Sequence, residues 1–183
     1  SIFLISCGGG GGGSTSSVIN NTTDGVYLTE YNNQWGLAKI GAKTANDNGY
    51  TGSGVRVAVV DTGVNGSHVE FNQTSQTGRN FSGVTTALTD GNGHGTHVAS
   101  IIAGERDGSG MRGVAYDAEI WSYKIFNDST PAVATGVSTD SKWASMVNYH
   151  VTDSIKVSNN SWGNTAVEVN ETSQSEITST YGR

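Results

Sequence analysis

Val55-Arg56-Val57-Ala58-Val59-Val60-Asp61-Thr62-Gly63 decides how the rest of this chain is read. Gly52-Ser53-Gly54 breaks the backbone ahead of it, and the apolar run that follows is almost continuous and rich in β-branched side chains. A strand with one wet face alternates apolar and polar residues. A run like this one fits a strand covered on both faces, as in a parallel sheet. The run stops at Asp61. A carboxylate directly after a buried strand is costly without a partner, and the carboxyl ends of parallel strands are where open α/β sheets keep their sites. As a turn former in Asp61-Thr62-Gly63 the residue would need no further explanation, so its role depends on what else the chain supplies.

Thirty-three residues after Asp61 comes His94, inside Asp90-Gly91-Asn92-Gly93-His94-Gly95-Thr96-His97-Val98-Ala99-Ser100. The Gly-rich stretch passes into apolar residues from Val98 to Ala103 and stops at Gly104, which predicts a buried helix with His94 at its N-terminal edge. Gly93 and Gly95 leave room for a second backbone or a substrate. A carboxylate on the Nδ1 side of such a histidine would fix its tautomer and stabilise the imidazolium formed when it takes a proton. Asp61 at a strand end and His94 at a helix start can meet in this way, each on a rigid element.

Val57 to Gly63 followed by Gly93-His94-Gly95-Thr96-His97-Val98-Ala99 resembles the aspartate and histidine motifs of the subtilisin-like serine proteases, in that family's order. The resemblance covers roughly residues 35 to 165. It implies an α/β fold with a mainly parallel central sheet flanked by helices, of which this chain carries the N-terminal half. It also implies cleavage of polypeptides at a triad in which Asp61 orients His94, the general base. Gly113-Val114-Ala115 ahead of Ala118 to Phe126 is similar to the family's next turn and strand, and a helix with one apolar face is expected through Trp143, Met146, Val147 and His150. Ile155 to Gly163 is similar to the strand that pairs with an extended substrate, with Ser161, Trp162 and Gly163 as substrate-binding residues and Trp162 as an apolar wall.

Val69 and Tyr116 stand where the family usually has prolines, which predicts altered loops rather than lost activity. The nucleophile segment Gly-Thr-Ser-x-Ala and the oxyanion asparagine do not occur in the 183 residues, and both are expected beyond Arg183. Ser161 lacks the strand-to-helix turn that exposes a nucleophile, so it is not assigned that role. The 183 residues alone are therefore expected to be catalytically silent. No cofactor is implied. Structural calcium is the one exception, because Glu70 and Asp107-Gly108-Ser109-Gly110 fall where related proteases often hold it, although two ligands fall far short of the six to eight that calcium takes. Two other classes compete: a surface-anchored, inactive peptide-binding module, and a metal site built from His68, His94 and His97.

Composition narrows the partners. Ten Lys and Arg against 16 Asp and Glu give a net charge of -6, which excludes nucleic acid, since phosphate binding needs a basic face. The lone cysteine, Cys7, excludes an internal disulfide. Residues 1 to 6 read as the end of an apolar signal segment, and Leu4-Ile5-Ser6-Cys7 resembles a bacterial lipobox. Cys7 would then be lipidated and hold the protein at the outer membrane, on a Gly/Ser/Thr/Asn linker spanning residues 7 to 34 that includes the run Gly8 to Gly13. Lipobox, tether and protease motifs together resemble the passenger region of a lipidated autotransporter.

Overall fold

The computed structural model describes residues 24–71, 76–83, 85–129 and 140–163. Cys7, the segment before it and the glycine run after it lie outside the described residues. In chain order the elements are α1 (Asp24–Asn32), α2 (Trp35–Lys39), α3 (Ala42–Asp47), β1 (Arg56–Asp61), β2 (Gln76–Asn80), α4 (His94–Ala103), β3 (Glu119–Lys124), α5 (Asp140–Thr152) and β4 (Val157–Asn159). The four strands form one parallel sheet in the order β2-β3-β1-β4. From β1 the chain runs to one side of the sheet through β2 and β3, then crosses to the other side for β4. The carboxyl end of β1 is therefore a point where strand order reverses, the usual place for a site in an open α/β sheet.

β1 is covered on both faces, as its composition predicts. Val57 and Val59 pack with Val64, Ala99, Ala103 and Ile120 on the face that carries α4. Ala58 and Val60 pack with Tyr123, Ile125 and Met146 on the face that carries α5. Each fully buried valine contributes about 1.5–3 kcal/mol, so the two faces together hold β1 at the centre of the sheet. On α5 the buried face is narrower than the apolar spacing implies. Met146 is buried, Trp143 and His150 are half-buried, and Val147 is exposed.

Three elements depart from the sequence reading. Residues 24 to 32 are helical, although composition makes them part of the linker spanning residues 7 to 34. The reason is tertiary: Tyr31 packs with Leu37, Ala42 and Val114, and buried Glu30 accepts the amide of Gly108 at 2.7 Å. The apolar spacing of Leu37, Ile40, Ala42 and Ala45 suits one short helix ending before Asn48-Gly49, but the chain forms two, α2 and α3, separated at Gly41, whose φ of +69° suits glycine and ends α2. β2, Gln76-Thr77-Gly78-Arg79-Asn80, has no strand pattern at all. It is an edge strand held by β3 and by Arg79, which forms a two-pronged ion pair with Asp153 at 2.5 and 2.6 Å.

Candidate active site

Asp61 is the last residue of β1, two positions beyond Val59, so strand alternation turns it toward the same face as Val57 and Val59. α4 covers that face and begins at His94. The two side chains meet: Asp61 Oδ1 lies 2.8 Å from His94 Nδ1. Asp61 is buried, while the His94 side chain is 50% exposed. The carboxylate accepts the Nδ1–H, which selects one imidazole tautomer and leaves Nε2 as the proton acceptor. The amide of Thr62 donates to the same Asp61 oxygen at 2.7 Å. Asp61 Oδ2 is buried with no hydrogen-bond partner among the described residues.

The close approach of strand and helix depends on glycine. A Cβ on Gly95 would sit 2.1 Å from the Gly63 carbonyl oxygen and 3.1 Å from Asp61 Cβ. Gly63 itself has φ +111°, and a Cβ there would lie 2.2 Å from the Thr89 carbonyl oxygen. Both small residues in the quoted motifs therefore have a steric cause.

A residue to which the sequence reading gave no role organises the turn ahead of His94. Asp90 Oδ1 accepts the Thr62 hydroxyl and the Gly93 amide, each at 2.9 Å, and Oδ2 accepts the amide and hydroxyl of Thr96 at 2.8 and 2.6 Å. Thr62 Oγ1 in turn accepts the Gly95 amide at 2.9 Å. Burial pushes the Asp90 carboxyl up, but the bonds from Thr96, Gly93 and Thr62 outweigh it and hold the group below its ordinary value. Asp90 stands three residues before the N-cap residue Gly93, outside the usual capping position, so its role carries no local signal in the sequence.

Ser161, Trp162 and Gly163 follow β4, which pairs with β1 and is the outermost strand on that side among the described residues. The Trp162 indole N–H donates to the carbonyl of Val60 at 2.9 Å, and its ring packs against Phe126 and Trp143 with centroids 5.7 Å away in both cases. Trp162 is still 40% exposed, so part of the ring faces outward. Ser161 Oγ accepts from Asn159 at 2.9 Å, so its hydroxyl is engaged within its own segment. Gly163 is exposed, and a Cβ there would meet nothing within 4 Å.

The histidines do not gather as a metal site. His94 is turned onto Asp61, His68 accepts the Glu70 amide at 3.3 Å, and His97 is exposed on α4. His68 and His97 instead line an open cleft of about 520 Å³ together with Asn65, Asp90 and Thr96. Among the described residues no group of three or more His, Cys, Asp or Glu could hold an ion. At the candidate calcium loop one Glu70 oxygen, Oε2, is buried with no hydrogen-bond partner among the described residues, and other oxygens there are engaged. Glu70 Oε1 accepts the Met111 amide at 3.0 Å and Asp107 Oδ1 accepts the Ser109 amide at 2.8 Å, so these oxygens close the loop on itself.

Residues 52–182 match the Subtilase family profile. Subtilisin Savinase of Lederbergia lenta is 38% identical over 117 residues, which is 64% of this chain and 42% of that protein. An extracellular serine protease of Serratia marcescens is 45% identical over 100 residues, 52% of this chain and 10% of the relative. Among solved structures, fervidolysin of Fervidobacterium pennivorans, a keratinolytic enzyme related to subtilisin, superposes with TM-score 0.57 at 33% identity, over 72% of this chain and 21% of that one. The chain thus spans less than half the length of the relatives it matches.

Proposed function

We propose that this chain, which belongs to the subtilase family, supplies two of the three catalytic groups of a serine endopeptidase, with Asp61 as orienting carboxylate and His94 as general base. The observation that carries this reading is the 2.8 Å contact between Asp61 Oδ1 and His94 Nδ1 at the carboxyl end of a buried parallel strand. The nucleophile is a serine outside these 183 residues. In the reaction His94 Nε2 takes the serine proton as the oxygen attacks the peptide carbonyl, Asp61 stabilises the imidazolium, and His94 then returns the proton to the leaving amine.

Polypeptides are the substrates in this reading. Ser161, Trp162 and Gly163 bind the extended substrate backbone beside β4, and the exposed part of Trp162 forms an apolar wall for a substrate side chain. The likeness to proteases named as extracellular supports secretion of this protein as well. The lipobox-like Leu4-Ile5-Ser6-Cys7 supports a finer version, in which Cys7 is acylated and the catalytic region works on a tether at the outer membrane as the passenger of an autotransporter.

The deciding experiment is hydrolysis of an unfolded protein substrate by the full-length protein, compared with its His94→Ala variant. Activity in the first and none in the second is the expected result. Equal activity in both would remove His94 from the chemistry.

A further inference from the structure

A fully buried ammonium lies directly behind the catalytic pair. Lys124 is the last residue of β3 and the cross-strand partner of Asp61 in the sheet register, and it is 0% exposed. It makes no ion pair with Asp61. Its Nζ instead donates to the carbonyl of Thr62, to the carbonyl of Thr89 at 3.4 Å and to Asp128 Oδ1 at 2.6 Å. Those acceptors belong to three different segments: the turn that leaves β1, the loop that enters α4, and the chain after β3.

The third acceptor extends the link. Asp128 Oδ1 also accepts the amide of Gly91 at 3.0 Å, and a Cβ on Gly91 would lie 2.9 Å from Asp128 Cβ, so that loop rests directly on Asp128. Gly91 is next to Asp90, whose carboxylate holds Gly93 and Thr96 on either side of His94. Gly63, after Thr62, lies against the same ammonium, since a Cβ there would be 3.2 Å from Nζ. Burying an ammonium is costly unless its donors are satisfied, and here all three named acceptors fall on the loops that carry Asp61 and His94 or brace them.

We propose that Lys124 is a positioning residue for the reaction: its ammonium ties the turn after Asp61 to the loop before His94 and so sets the separation of the two catalytic side chains. This rests on the roles given above to Asp61 and His94. Lysine suits the task because a compact charge on a flexible stem can reach three carbonyl or carboxylate oxygens that a planar guanidinium could not all satisfy.

The test uses the full-length protein with ¹⁵N-labelled histidine. In the wild type, at a pH where the imidazole is neutral, His94 should carry its proton on Nδ1, facing Asp61. In Lys124→Met, which keeps the length of the side chain and removes its donors, that signature should move toward the Nε2–H form that free imidazole prefers. kcat should fall about 100-fold with KM little changed, the scale expected when a reacting group is misplaced by about 1 Å. Asp128→Ala, at a partly exposed position, should produce a smaller loss of the same kind and covers the case in which Lys124→Met does not fold. Ile120→Val, in the core of the same strand, controls for lost stability and should keep both tautomer and kcat. An unchanged His94 tautomer and kcat in Lys124→Met, or in Asp128→Ala if the first does not fold, overturns the proposal. So does an equal loss in Ile120→Val. The tautomer is read whether or not the protein cleaves peptides, so failure of the protease reading and failure of this one give different results.

Discussion

Asp61 faces His94 because it stands two residues beyond Val59 and four beyond Val57, on the side of β1 that α4 covers. The period-2 alternation of the strand aims the carboxylate, and the apolar packing of Val57 and Val59 against Ala99 and Ala103 sets the helix that presents the imidazole. The same contacts therefore hold the core together and bring Asp61 and His94 into contact.

In the full-length protein Asp61→Asn should fold normally and lose about 10⁴ in kcat, the scale known for the corresponding change in serine proteases, because the amide favours the wrong tautomer of His94. His94→Ala should lose at least as much. His97→Ala, exposed on α4, should be far milder. Steady-state kinetics of the three variants check the ranking, and a larger loss in His97→Ala than in His94→Ala would reassign the base.

Gly95→Ala and Gly83→Ala make the same chemical change in different surroundings. At Gly95 the new methyl group meets the Gly63 carbonyl oxygen at 2.1 Å and the Asp61 side chain at 3.1 Å. The backbone must move, at an expected cost of about 3 kcal/mol or more together with loss of activity. At Gly83, with φ +75° and nothing within 4 Å, only conformational strain of about 1 kcal/mol is expected. Denaturant melts of both variants give the comparison, and similar destabilisation in the two would discount the strand–helix contact.

Acid should destabilise the fold through two carboxylates. The Arg79 guanidinium holds the Asp153 carboxyl below its usual value despite burial, and the bonds to Asp90 do the same there. Both folded values lie below the unfolded ones, so the stability they contribute is complete above about pH 4 and is lost as the pH falls through the lower folded values. Arg79→Met leaves Asp153 buried and short of its cation. It should cost about 3 kcal/mol near neutrality and make the remaining stability less sensitive to acid. Stability measured from pH 7 down to pH 2 in both proteins would show this, and parallel curves would argue against the pair.

Trp162→Phe preserves an aromatic ring beside Phe126 and Trp143 but removes the N–H that holds the carbonyl of Val60. Loss of this partly buried hydrogen bond should cost about 1 kcal/mol of stability or less. If the segment also binds substrate, KM for long peptides should rise more than KM for short ones. Equal effects on both lengths would confine Trp162 to a structural role.

Cys7→Ser should abolish acylation and release the protein from membranes, whereas the unmodified sequence should give a mature N-terminus at Cys7 carrying acyl chains. Mass spectrometry of membrane-extracted protein reads both. A soluble wild-type protein with a different N-terminus would end the lipoprotein proposal without touching the protease one.

Much of the site was legible in the chain because its key residues carry strong local signals. The Val55 to Val60 run can hardly be anything other than a strand buried on both faces, and Gly93-His94-Gly95 opens a helix whose apolar residues and terminating Gly104 are all contiguous. Periodicity is a local property, so it survives without knowledge of the fold. Asp90 and Lys124 act through partners that sequence separation hides: Lys124 reaches Thr62 across 62 residues and Asp90 reaches Thr62 across 28. A polar side chain gives no local sign of whether it will be solvated or buried among distant carbonyls. β2 and α1 show the same limit in the backbone, since Gln76–Asn80 is a strand only because β3 offers its edge. Asp24–Asn32 is anchored because Tyr31 packs with Leu37, Ala42 and the distant Val114, and Glu30 finds an amide 78 residues further along. Hydrophobic pattern wrote the centre of the sheet and the two motifs into the chain, while burial and hydrogen bonding between segments far apart in sequence chose the edge strand, the first helix and the ammonium behind the site.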